Sequence, residues 1–349
     1  MKNMKKIDKM FLPFFVAITV CGLLCGCQGK TDPEVDPVIT EIDFAKGADV
    51  SWLTQMEAEG AKFYNAQGTE TECMALLKSL GMNSIRLRVW VNPTNGWNNK
   101  EDVLVKAKRA KALGLMIMID FHYSDSWADP GKQNKPAAWA NLDIEGLKTA
   151  LALHTKEVLT LLKDNNIAPT WVQVGNETTD GMLWEDGRAS KNMKNYAELN
   201  NAGYLAAKTV FPNTIVILHI DNGWDNARYR WLLDGIAQYS GNYDMIGMSL
   251  YPEANNWQTF NQQCIANIND LSARYNKDVI VCEVGMSWDE AAACKQFLSD
   301  LIEKSKTQTG GRCKGVLYWE PEGYVNWSHY TKCAFDNSGK PTIALDAFK

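Results

Sequence analysis

Two glutamates at the ends of apolar runs carry the chemistry open to this sequence. Glu177 closes Trp171-Val-Gln-Val-Gly-Asn-Glu177, and Glu283 closes Val279-Ile-Val-Cys-Glu283. A carboxylate directly after a buried strand is costly unless it faces a polar opening. Two carboxyls about 5 to 5.5 Å apart, flanking a sugar ring, perform retaining glycoside hydrolysis. One attacks the anomeric carbon; the other protonates the leaving oxygen and later activates water. Repulsion between them raises one pKa, which keeps the acid protonated. A lone strand-end glutamate more often caps a helix or pairs with a surface lysine. The pair, with Asn176 and Arg88 alongside, favours catalysis. Arg86 and Arg88 alternate onto one face of their strand. A guanidinium there needs carboxylate partners and would hold the nucleophile ionised. Arg88 is assigned to the site, and Arg86, the deeper of the two, to a structural network beneath it.

Further candidates follow the same logic of strand ends. Asp49 follows the first predicted strand and Trp90 the second; His219, Tyr251 and Trp319 follow or close the fifth, sixth and eighth. The stretch Asp120-Phe-His-Tyr-Ser-Asp-Ser-Trp-Ala-Asp129 is too polar and aromatic for a core strand. It reads as a ligand-facing loop, with His122 in it, Asp125 and Asp129 for sugar hydroxyls and Trp127 for packing. His and Asp also bind metals, but no second His lies at ligand spacing, so no metal is expected. No GxGxxG follows the first strand, so no nucleotide cofactor is expected either. The chain holds 13 Trp against 11 Phe, a demand for flat amphipathic rings that sugar stacking would explain. His154 shares a helix face with Leu147, Leu151, Val158 and Leu161 and reads as a satisfied core histidine.

The elements that must position these groups are eight short apolar runs. They are 44–50, Ser84–Val89, Met116–Phe121, Trp171–Val174, 214–219, Met245–Leu250, 279–282 and 315–319, each followed by a polar loop and a helical pattern. Helical segments at 101–113 and 70–80 stop at Gly114 and Gly81, the usual left-handed stop. Strand starts about 30 to 55 residues apart match the size of a βα unit. Eight units with strands buried on both faces predict an α/β fold, a single (β/α)₈ TIM barrel. Active-site residues then belong at the strands' carboxyl ends. On this scheme strands four and seven lie on opposite sides of the barrel and reach across its axis.

The 349 residues are 46% hydrophobic and 22% charged, which excludes a disordered chain. A net charge of −5 without a basic cluster argues against nucleic acid. Lys2, Lys5, Lys6 and Lys9 precede an apolar run from Phe11 to Leu24, too short for a spanning helix. Leu24-Cys-Gly-Cys27 resembles a bacterial lipobox, with lipidation at Cys27. The expected organisation is therefore a lipoprotein signal at 1–26, a polar tether at 27–41 and a catalytic domain at 42–349. That predicts an exported lipoprotein at the outer membrane or cell surface, held by its lipid and acting as a monomer. Six further cysteines, Cys73, Cys264, Cys282, Cys294, Cys313 and Cys333, allow fifteen pairings. Cys282 reads as a core thiol, and Cys264 with Cys294 as the pair a bridge would join.

The stretches Gly47-Ala-Asp-Val-Ser-Trp52, Arg86-Leu-Arg-Val-Trp-Val-Asn-Pro93, Asp120 to Pro130, Val174-Gly-Asn-Glu177 and Gly181-Met-Leu-Trp184 resemble glycoside hydrolase family 53. Its members are endo-β-1,4-galactanases, and the resemblance runs from about Asp43 to the C-terminus. It implies a (β/α)₈ barrel, retention of configuration, and β-1,4-galactan of pectin side chains or type I arabinogalactan as the polysaccharide substrate. It also implies that Glu177 is the acid/base, Glu283 the nucleophile, Asn176 a ligand of the hydroxyl beside the anomeric carbon, and Trp319 the floor of the −1 subsite. Some relatives hold calcium in a longer loop after the nucleophile strand. Here Val-Gly-Met-Ser-Trp leads almost at once into a helix, so no structural metal is expected. The rival readings are a barrel β-glycanase acting on mannan or glucan, and a non-catalytic glycan-binding lipoprotein.

Overall fold

The computed structural model describes residues 44–349. The signal segment, Cys27 and the tether lie outside the described residues. The eight strands are β1 (Ala45–Asp49), β2 (Ser84–Val89), β3 (Met116–Phe121), β4 (Trp171–Val174), β5 (Ile215–Ile220), β6 (Met245–Leu250), β7 (Asp278–Val284) and β8 (Cys313–Trp319). They close in sequence order into an all-parallel barrel, β1 pairing with both β2 and β8. Helices α1 (Leu53–Ala58), α2 (Cys73–Ser79), α3 (Lys100–Ala112), α4 (Ile144–Asp164), α5 (Met193–Val210), α6 (Asn226–Ala237), α7 (Trp257–Tyr275), α8 (Ala291–Thr307) and α9 (Val325–Ser328) follow in turn.

The predicted boundaries shift by a few residues for local reasons. The helix read from residue 70 begins at Cys73, because Glu72 caps it by accepting from the Ala75 amide at 2.7 Å. It ends before Gly81, whose φ of +96° and closeness to the chain terminus exclude any other residue: a Cβ there would lie 2.2 Å from the Phe348 carbonyl. Asn99 and Asp143 cap α3 and α4 in the same manner.

Strand alternation sorts the side chains into a shell and a lumen. Outward residues such as Ile85, Leu87, Val172, Val279 and Val281 join the helices in one large apolar core. Inward residues Ala45, Met118, Trp171, Ile217, Met245, Ile280, Cys282 and Leu317 fill the lower lumen. Above them the lumen turns polar, with Asp49, Arg86, Asp120, Gln173, His219, Ser249 and Glu283 all buried. An irregularity in β7 sets which way the side chains at its carboxyl end point. Met248 pairs with Val281, but the next residue, Ser249, pairs with Glu283, so Cys282 is an extra residue in β7. Such a bulge reverses the facing of every later residue in the strand. Cys282 and Glu283 therefore both face inward. All six cysteines in the described residues are buried free thiols. The expected Cys264–Cys294 bridge is absent, because Cys294 turns its sulfur to the Tyr318 hydroxyl at 3.8 Å.

Candidate active site

Arg86 organises the polar layer. Its guanidinium lies 2.6 Å from Asp49, 2.9 Å from Asp120 and 2.8 Å from Glu283, and it donates to Asn176 Oδ1 at 2.7 Å. This reverses the expected roles of the two arginines. Arg86 touches the candidate nucleophile, whereas Arg88 turns sideways to pair with Glu320 after β8. Three indoles surround Arg88, with Trp127, Trp90 and Trp52 centred 4.2, 5.2 and 5.6 Å from its Cζ. Its Nε and Nη2 have no hydrogen-bond acceptor, so ring faces take the place of one.

Glu283 receives the Tyr251 hydroxyl on Oε2 at 2.8 Å, while Oε1 contacts Arg86 without an aligned N–H. Oε1 thus keeps a free lone pair. Glu177 sits half-buried at the end of a strained turn, with φ of +44°, a rare conformation for a residue with a side chain. Gly175 opens that turn at φ +82°, where a Cβ would lie 2.4 Å from Thr178. Gln133 clamps it from above by donating to the Asn176 carbonyl at 2.8 Å. Burial and the neighbouring Glu283 hold the Glu177 carboxyl well above the usual range. Burial raises Glu283 too, but Arg86 and the Tyr251 hydroxyl oppose it. Of the two, Glu283 is the one to ionise first.

Glu177 and Glu283 share a cavity of about 380 Å³, within the ~300–1,000 Å³ common for small-ligand sites. Asn176, His122, Trp127, Asp129, Tyr251 and Trp319 line it as expected, and Tyr330 and Lys332 complete the wall. Asn176 uses one amide N–H on the Ala128 carbonyl, leaving the other for a ligand. A larger hollow of about 430 Å³, walled by Pro93, Trp139, Leu153 and His154, lies beside α3 and α4 and includes neither glutamate. His154 is buried there as predicted, but its Nε2 has no partner, and burial pushes it down to about 4, so it is neutral.

Five predicted contact residues do not line the cavity. Asp49 is fully buried, committed to Arg86 and to Ser51. Arg88 is spent on Glu320. Trp90 is buried and donates from its indole to His122 Nδ1 at 3.3 Å, fixing that ring rather than a sugar. Asp125 accepts the Asn92 and Ala137 amides at 2.9 and 2.8 Å and so staples two loops. His219 is fully buried beneath Glu177. Strands β4 and β7 are also not opposite: β5 and β6 lie between them, bringing His219, Ser249 and Tyr251 into the gap.

Other acidic residues near the strand ends contribute without lining the cavity. Asp120 holds His122 Nε2 at 2.9 Å; burial would raise its carboxyl, but Arg86 and His122 more than offset this and keep it low. Glu320 and Glu322 form a fully buried acid pair behind Trp52. Burial raises Glu320 to about 7 against the pull of Arg88, and burial and Glu320 raise Glu322 further. Both Glu322 oxygens lack a hydrogen-bond partner.

The family profile described as Glycosyl hydrolase family 53 matches residues 45–296. An arabinogalactan endo-β-1,4-galactanase of Thermothelomyces thermophilus is 32% identical, over 87% of this chain and 98% of its own. Among solved structures, the family 53 catalytic domain of Ignisphaera aggregans superposes with a TM-score of 0.80 at 28% identity, covering 90% of this chain and 98% of that one. A fungal β-1,4-galactanase superposes with a TM-score of 0.79 at 29% identity, covering 87% and 98%.

Proposed function

The chain belongs to glycosyl hydrolase family 53, and from that membership we propose that it is a retaining endo-β-1,4-galactanase acting on galactan and the type I arabinogalactan side chains of pectin. The observation that carries the mechanism is the asymmetry of the shared cavity. Two glutamates open on it, and Glu283 alone of the two has a guanidinium in contact at 2.8 Å. Glu283 is the nucleophile: a carboxylate oxygen bonds to the anomeric carbon as the glycosidic bond breaks. Glu177, protonated at the start, gives its proton to the departing oxygen. It then takes a proton from water, whose oxygen displaces Glu283 from the same carbon. Two inversions restore the starting configuration. The Tyr251 hydroxyl and Arg86 stabilise Glu283 when it leaves as a carboxylate. Trp319 and Trp127 supply apolar platforms for the ring, and Asn176 a donor for the adjacent hydroxyl.

Incubation with β-1,4-galactan, β-mannan and β-glucan, with products followed over time, tests this reading. Galactan should give mixed oligosaccharides early, as an endo cut does, and the other two should remain intact. An intact galactan, or cleavage of mannan or glucan instead, would overturn it.

The amino-terminal sequence supports an exported bacterial lipoprotein, anchored through Cys27 at the outer membrane or cell surface. Cys27→Ala should move the protein from the membrane fraction to the soluble one; unchanged membrane association would refute the anchor.

A further inference from the structure

Arg88 is fully buried, yet only part of its guanidinium meets a hydrogen-bond acceptor. Nη1 pairs with Glu320 Oε1, and the same carboxylate accepts the Trp52 backbone amide at 3.2 and 3.1 Å. Nε and Nη2 have no acceptor, and three indoles enclose the group instead. The three rings are not equivalent. Trp127 is the nearest, its centroid 4.2 Å from Cζ, and it alone of the three lines the cavity shared by Glu177 and Glu283. Trp52 and Trp90 meet Trp127 nearly at right angles, with interplanar angles of 83° and 82° and centroids 5.9 and 5.2 Å away. Trp319, the other indole of the cavity wall, stands at 57° to Trp127 with 5.7 Å between centroids.

We propose that Arg88 is a positioning residue for substrate binding: its guanidinium covers one face of Trp127 and so presents the opposite face of that ring to the glycan. Trp127 lies in the irregular segment after β3, where neither strand nor helix sets the plane of its indole. Arg88 belongs to β2, and its own backbone amide is fixed by donating to Ser51 Oγ at 2.8 Å. The strand therefore sets the plane of a loop side chain. A cation over an indole face is attracted by the ring quadrupole, more strongly when buried than at an exposed site. Trp52 and Trp90 close the edges of Trp127, so the ring can neither tilt nor slide from beneath the cation. The two arginines of β2 thus divide the work: Arg86 contacts the nucleophile, and Arg88 the platform beside it.

The proposal rests on the cavity being the galactan site, and the test is galactan kinetics with thermal melting of Arg88→Lys and Arg88→Met. Lysine keeps a charge for Glu320 but has no flat group to lay on an indole. Methionine fills the space without charge, and Glu320, already raised to about 7, can take up a proton in response. An ion-pair role alone predicts that lysine restores both melting temperature and KM. Positioning predicts that lysine restores melting but not KM, which should rise about fivefold in both variants while kcat stays within about threefold. Trp127→Leu should itself raise KM, and either Arg88 substitution added to it should then cost less than about twofold, because the ring it acts through is gone. A wild-type KM in Arg88→Lys, or increases that multiply in the double variants, would overturn the proposal. Failure of both Arg88 variants to fold would also overturn it, by placing Arg88 in the scaffold alone. Wild-type enzyme that leaves galactan intact would overturn the substrate reading beneath it instead.

Discussion

Glu283→Ala is expected to lose activity on galactan and on activated galactosides alike, by a factor on the order of 10⁴ or more, as removal of a covalent nucleophile does. The substitution removes the only oxygens that Arg86 and Tyr251 jointly prepare for attack. It should not unfold the barrel. Arg86 keeps Asp49 at 2.6 Å and Asp120 at 2.9 Å, so the buried guanidinium remains compensated when the third carboxylate goes. The space left beside Arg86 should admit formate or azide, and rescue by either should yield product of inverted configuration, because only one displacement then occurs. The measurement is kcat/KM on both substrate types with the anomeric form of the rescued product. Activity within tenfold of wild type would contradict the assignment.

Glu177→Ala is expected to fail in a different pattern. Its carboxyl is half-buried at the cavity mouth, is held protonated by burial and by Glu283, and is carried on a strained backbone turn. A general acid contributes about 10² to 10⁴-fold, and only where the leaving group needs a proton. Galactan turnover should fall by about that factor. Glycosyl transfer from a dinitrophenyl galactobioside to the enzyme should be nearly intact, with the second step slowed for want of a base. A burst of dinitrophenolate followed by slow turnover, accelerated by azide with retention of configuration, is the expected record. Equal losses on the two substrates would remove Glu177 from the acid/base role.

How much of the fold and the site was legible in the sequence depends on whether the deciding signal is local. The barrel was, since each strand is a short apolar run followed by its own helix, and the strand-end glutamates marked its open end. The direction of a long side chain was not. Arg86 and Arg88 alternate identically, and their fates differ because Glu320, beyond β8, turns back at φ +46° to meet Arg88. Glu283 was found from its position after an apolar run, but strict alternation from Ile280 would have sent it outward. The bulge at Cys282 corrects this, and it is a property of the β6–β7 pairing that no single strand reveals. Tyr330 and Lys332 belong to the irregular segment after α9, which the Trp288 amide ties down by donating to the Thr331 carbonyl at 2.8 Å. Only barrel closure brings that segment beside β7. Asp49, Trp90, Asp125 and His219 were located at the right end of the barrel, but sequence position cannot separate residues that line a cavity from those that hold its lining.

The central claim is that Glu283 forms a covalent bond to the sugar. Wild-type enzyme incubated with a 2,4-dinitrophenyl 2-deoxy-2-fluoro-β-galactobioside, then digested and sequenced by mass spectrometry, tests it directly. The account predicts a stoichiometric fluorogalactobiosyl adduct on the peptide ending the β7 strand, carried by Glu283 and absent from Glu283→Ala. An adduct on Glu177 or any other residue, or unlabelled enzyme that releases product of inverted configuration, would contradict it.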